Sequence, residues 1–164
     1  MEYWYIKSSF SNRKRENVYK LLILSQDTMK KIYSKLNPDE LLHIVFKKDE
    51  IGESGAHFDL IDSKEYLQVA AMKGAEGKKF PAHKHLPQDR QTSITQECNI
   101  IVSGTMKVVY YDTDNTILDD AVLEVGDCTI TLKGGHSFSM EKDTLFYEIK
   151  NGPYLGREKD KAEI

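Results

Sequence analysis

The chain has 164 residues, enough for one domain with a proper hydrophobic core. Its composition, 40% hydrophobic and 30% charged, is ordinary for a globular protein, and a formal net charge of -3 argues against a nucleic-acid binder held by bulk electrostatics. No apolar run approaches the roughly 18 residues a membrane span needs, and the start Met1-Glu2-Tyr3-Trp4-Tyr5-Ile6-Lys7 lacks the pattern of a signal peptide. The expectation is therefore a cytoplasmic protein with neither a membrane nor a nucleic-acid partner. Arg13-Lys14-Arg15 reads as a solvated loop.

In chain order, Tyr3-Trp4-Tyr5-Ile6 is aromatic enough to serve as an edge strand, either on its own fold or on a second subunit. Val18 to Leu24 reads as a short strand, and Ser25-Gln26-Asp27 offers helix caps. Met29, Ile32, Tyr33 and Leu36 recur at helical spacing and predict one amphipathic helix ending before Asn37-Pro38. Leu41 to Phe46 returns to β character, and 48–55 is a polar loop.

From His57 onward the pattern is nearly all β, with strands expected over 57–61, 66–72, 79–85, 94–103, 105–111, 116–124, 128–133, 136–141 and 144–150. Turn signals such as Asp112-Thr113-Asp114-Asn115, Gly126-Asp127 and Gly134-Gly135 separate them. Many short, evenly punctuated strands mean a sandwich or barrel. The expected division is an α/β extension over 1–55, a β-barrel over 56–154 and a charged tail over 155–164. Cys98 and Cys128 lie in alternating stretches and read as small buried hydrophobes. Tyr110, Phe138, Phe146 and Tyr147 fall on strands that would line a barrel, where core packing is the default.

One constellation suggests chemistry. In Phe80-Pro81-Ala82-His83-Lys84-His85 the two histidines would share one side of an extended strand. Glu97, followed six residues later by Gly104, and then His136 arrive from later strands. Three imidazoles and one carboxylate in one pocket would suit a divalent transition metal. His43 and His57 stand outside the pattern and read as structural.

These motifs resemble those of the cupin family. The first cupin motif is matched by His83-x-His85 and Glu97-x6-Gly104, the second by Gly126 to His136. The chain departs in three places: eleven residues separate His85 from Glu97, Leu132 stands at the usual proline, and His136 comes one residue early. A closer resemblance, from about Leu21 to Glu148-Ile149-Lys150-Asn151-Gly152-Pro153-Tyr154, is to the WbuC-type cupins associated with surface-polysaccharide gene clusters. It implies a jelly-roll β-barrel, a homodimer, and Fe, Mn, Ni or Zn held by His83, His85, Glu97 and His136. Asp89 or Gln91 in the insert is the alternative to Glu97. Arg90 and Gln91, on a loop beside the metal strand, and Phe138 and Tyr147 are candidate substrate contacts.

The function this implies is Lewis-acid chemistry on a small polar, carbohydrate-related metabolite: isomerisation, epimerisation or hydrolysis. An Fe(II) dioxygenase would use the same ligands. A non-catalytic sugar-binding module and a metal-free sugar-nucleotide epimerase, with His83 and Tyr147 as its pair, are the other readings.

Overall fold

A computed structural model describes residues 29–52 and 57–164. The expected edge strand at 3–6, the basic loop at 13–15, the strand over 18–24 and the caps at 25–27 lie outside the described residues. The strands are β1 (Met29–Tyr33), β2 (Leu41–Phe46), β3 (His57–Asp59), β4 (Ala70–Met72) and β5 (Glu97–Ser103). They continue with β6 (Thr105–Tyr111), β7 (Ile117–Glu124), β8 (Cys128–Thr131), β9 (Gly135–Met140) and β10 (Leu145–Lys150). One helical turn, α1 (Arg157–Asp160), follows.

The strands form three antiparallel sheets: β1-β2-β8-β5-β10, β7-β6-β9, and the hairpin β3-β4. The chain is therefore mainly β. The two larger sheets share no hydrogen-bonded strand pair, so they form open layers and not a closed barrel.

Period-two alternation decides what each face of the five-stranded sheet buries. One face carries Ile44, Phe46, Cys98, Cys128 and Ile130, and packs under Leu60, Ile61 and Leu67 beside the hairpin. Both cysteines are thus buried hydrophobes, as their setting in the sequence suggests. The opposite face carries Val45 and Ile101, which pack against Met106, Val108, Tyr110 and Leu123 of the three-stranded sheet. Leu42, His43, Ile44, Val45 and Phe46 are all buried because β2 lies inside the sheet with layers on both sides. Residues 29–46 are thus built into the main sheet.

The helix expected from Met29, Ile32, Tyr33 and Leu36 is a strand. β1 pairs in register with β2, from Met29 opposite Phe46 to Ile32 opposite His43. Only Ile32 of the four is buried, and Leu36 is 61% exposed, so no helical stripe faces the core. An open edge on β2 outweighs a short periodic signal.

The strand expected over 79–85 is also absent. Residues 73–96 carry no regular secondary structure, and 73–94 are exposed throughout. The strand expected over 66–72 is reduced to Ala70–Met72. From Glu97 onward the expected strands agree with the observed ones to within a few residues at each end.

Gly104 has a structural cause. It turns the chain between β5 and β6 at φ 83°, and a Cβ there would lie 2.2 Å from the Asp143 carbonyl oxygen. Only glycine tolerates both constraints.

Candidate functional site

The space between the two larger sheets is apolar at one end and polar at the other. Along β5 the inward side chains run Glu97, Asn99, Ile101. Strand pairing sets Glu97 beside Thr131 of β8 and Lys150 of β10, whereas Ile101 stands beside Phe146. On β9, His136 is two residues from Phe138; their rings stack with centroids 4.7 Å apart, and Phe138 meets Phe146 edge-on at 6.0 Å.

Glu97 is the centre of the polar end and only 4% exposed. Its Oε1 accepts from Asn99 Nδ2 at 2.8 Å and lies 3.2 Å from His136 Nε2. Its Oε2 faces Lys150 Nζ at 3.2 Å and Lys161 Nζ at 4.0 Å. Burial alone would raise the carboxyl pKa. The hydrogen bonds from His136 and Asn99, with the charges of His136 and Lys150, outweigh it and hold the pKa down at about 2. Lys150 is also desolvated, yet its bonds to Glu148 and Glu97 push its pKa up.

A chain of hydrogen bonds leads inward from this pair. His136 Nδ1 lies 3.1 Å from Thr131 Oγ1, and Thr131 Oγ1 lies 3.1 Å from His43 Nδ1. His43 Nε2 lies 3.0 Å from the Tyr111 carbonyl oxygen. A carbonyl only accepts, so His43 Nε2 carries a proton. Burial drives the His43 pKa down to about 4, so its Nδ1 is bare and accepts from the Thr131 hydroxyl. That hydroxyl has one proton to give. It therefore accepts from His136 Nδ1–H, while His136 Nε2 stands 3.2 Å from the Glu97 carboxylate.

The turn that delivers His136 is set by glycine. Gly134 has φ 76°, and a Cβ there would lie 2.4 Å from the Tyr111 carbonyl oxygen that His43 holds. The segment expected to be a charged tail lies against this end. Lys161 approaches Glu97, and Ile164 packs on Gly135. With Lys150, Tyr154 and Arg157, Lys161 lines an open cleft of ≈ 500 Å³.

Of the four expected metal ligands, Glu97 and His136 meet. His83 and His85 do not join them: their rings lie 5.3 Å apart in the exposed segment 73–94, and His83 Nδ1 reaches only the Pro81 carbonyl at 3.2 Å. Among the described residues no group of three or more His, Cys, Asp or Glu side chains lies where it could hold a metal ion. Asp89, Arg90 and Gln91 are exposed in the same segment. Phe138 is partly buried against the apolar end, whereas Tyr147 is 60% exposed and lines neither core nor cleft. His57 is exposed and paired with Asp59 at 3.0 Å.

Sequence reasoning missed His43, Asn99, Thr131, Lys150 and Lys161. Asn99 was legible, because residues i and i+2 of a strand share a face and Glu97 was already chosen. Lys150 stands in the Glu-x-Lys-x-Gly-Pro-Tyr ending without a role attached to it. No local signal marks His43 or Thr131, which meet only through the pairing of β2 with β8. Among the described residues no helix is long and apolar enough to cross a membrane. No family model, curated protein or solved structure matches the chain.

Proposed function

We propose that the chain is a cupin-like protein whose Glu97–His136 centre handles protons on a small polar, carbohydrate-related metabolite, in an isomerisation or epimerisation. The observation that carries this reading is the approach of Glu97 Oε1 to His136 Nε2, 3.2 Å apart at the polar end of the inter-sheet space. The two residues come from strands in different sheets, and the cupin pattern chose both. The imidazole is the group that exchanges the proton, and the ionised carboxylate 3.2 Å away, with its pKa held low, is the fixed charge that positions it. Lys150 and Lys161 offer positive charge to an oxyanion forming on the substrate.

As arranged, the donor set does not fit a metal. Two of the four expected donors converge, and the remaining Glu97 oxygen already faces two ammonium groups. A second reading, a metal-loaded jelly roll, has one observation in its favour. The outer edge of β9, the strand of His136, has no partner among the described residues. Docked there as a strand, 79–85 would extend the sheet and carry His83 and His85 toward His136 and Glu97.

Two measurements separate these readings. Monosaccharides incubated with the protein in D2O should gain deuterium at the carbon beside the carbonyl, followed by proton NMR. Glu97→Gln should lower the rate at least about 100-fold; no exchange in wild type sinks the proton-transfer reading. Elemental analysis of untagged protein, reconstituted anaerobically with Fe, Mn, Ni or Zn, decides the metal. Near-stoichiometric metal, lost in a His83→Ala/His136→Ala variant, would replace the first reading with the second.

A further inference from the structure

The two sides of the layered fold treat their edge strands differently. On the side where β1 approaches β7, lysines hold the edges. Lys30 Nζ donates to the Asp120 carbonyl oxygen at 3.0 Å, Lys35 Nζ to that of Ile117 at 2.9 Å, and Lys47 Nζ to that of Val122. Lys30 also pairs with Asp119 at 2.8 Å, and Lys31 follows it along β1. Lysines on an edge discourage a further strand from adding to it.

β10, the other edge of the five-stranded sheet, is built otherwise. No strand among the described residues pairs with its outer edge. Leu145, Tyr147 and Ile149 alternate along it and so share one face; all three are exposed, Tyr147 by 60%. Tyr147 stands opposite Ile100 and Ile149 opposite Cys98, so this is the face that Leu60, Ile61 and Leu67 cover further in. The C-terminal segment meets the opposite face: Glu148 and Lys150 line its cleft, and Leu145, Tyr147 and Ile149 do not. An apolar row on an unpaired edge, without a lysine on that face, is a template for another strand.

We propose that this edge pairs with β10 of a second copy of the chain, antiparallel about a two-fold axis at Tyr147. The strand is self-complementary in that register. Tyr147 of one copy stands opposite Tyr147 of the other, Leu145 opposite Ile149, Phe146 opposite Glu148 and Thr144 opposite Lys150. Each exposed apolar side chain meets another, and no like charges stand directly opposite. An axis at Glu148 would set two carboxylates against each other. The pairing joins two five-stranded sheets into one of ten strands. The other occupant, residues 1–28 of the same chain, joins the sheet at Met29 of β1, four strands and about 19 Å from β10. Tyr147, on the face turned from Glu97, thereby has a role outside the Glu97–His136 centre.

Sedimentation of the full chain tests this. Wild type should be a dimer at about 100 μM. Tyr147→Lys and Ile149→Lys, both at exposed positions, should leave the circular dichroism spectrum unchanged and weaken the dimer at least about 10-fold. Cross-linking reads the register. Tyr147→Cys sets a thiol on the two-fold axis, so oxidised glutathione should link two copies through it. Leu145→Cys should not link, whereas Leu145→Cys/Ile149→Cys should; the native Cys98 and Cys128 are buried and take no part. A monomer at about 100 μM overturns the proposal in favour of residues 1–28 as the cover. A dimer that Tyr147→Lys leaves intact, or one in which neither Tyr147→Cys nor the double variant cross-links, overturns it in favour of another surface.

Discussion

The two ends of the inter-sheet space are built from the same strands and differ only in which inward residues the sequence supplies. At one end Val45, Ile101, Met106 and Val108 fill the gap, with Phe138 and Phe146 beside them. At the other, the same strands β2, β5, β9 and β10 present His43, Glu97 with Asn99, His136 and Lys150. The apolar end holds the sheets together through area removed from water. The polar end gains little net stability from its buried charges, because desolvation offsets most of their attraction. What it does fix is the position of a carboxylate and an imidazole in a dry setting, which is where they can act.

That contrast can be broken most strongly at Ile101. It is 1% exposed, and Ile101→Ala should lower unfolding free energy by about 2–5 kcal/mol in urea titration. A loss under about 1 kcal/mol would mean that the sheets are not packed through this residue.

Acid should reveal the polar end next. His43 has its pKa depressed from 6.5 to about 4 by burial, so the unfolded chain takes up a proton that the folded chain refuses. Stability from this group is present above pH 6.5 and is lost as pH falls toward 4, by on the order of 3 kcal/mol. Glu97, with its pKa held down from 4.5 to about 2, adds a second loss that begins below pH 4.5. Urea midpoints measured from pH 7.5 to 4.5 isolate the histidine, and His43→Gln should flatten that limb. A flat wild-type profile over the range would show that His43 is not buried as a neutral ring.

The smallest effect should come where the two ends meet. Tyr110 is fully buried, and its hydroxyl lies 2.8 Å from Thr129 Oγ1, with burial and nearby negative charge pushing its pKa up. Tyr110→Phe keeps the ring and loses one hydrogen bond, so it should cost about 1 kcal/mol. Thermal unfolding would register this as a drop of a few degrees.

Much of this architecture was legible before any coordinates. Alternation from Glu97 to Lys150 marks strands whose ends agree with the observed ones, because each has one face on a core and the other on a different surface. Glu97-x6-Gly104 was readable as a unit, since the glycine serves the turn that ends the strand bearing the glutamate. Met29 to Leu36 was misread because helical spacing in so short a run is also compatible with a strand once a partner edge exists. His83-x-His85 reads as a strand on its own pattern, yet in the fold that segment pairs with no strand.

The sequence by itself determined the β-rich class and the buried cysteines, because these follow from period-two patterning and turn chemistry within a few residues of each other; Glu97 and His136 were singled out by the resemblance to cupin motifs. Only the tertiary structure decided that His43, Thr131, Asn99, Lys150 and Lys161 gather around Glu97 and His136. Strand order and register bring them together, and those are set by long-range pairing that no local window contains.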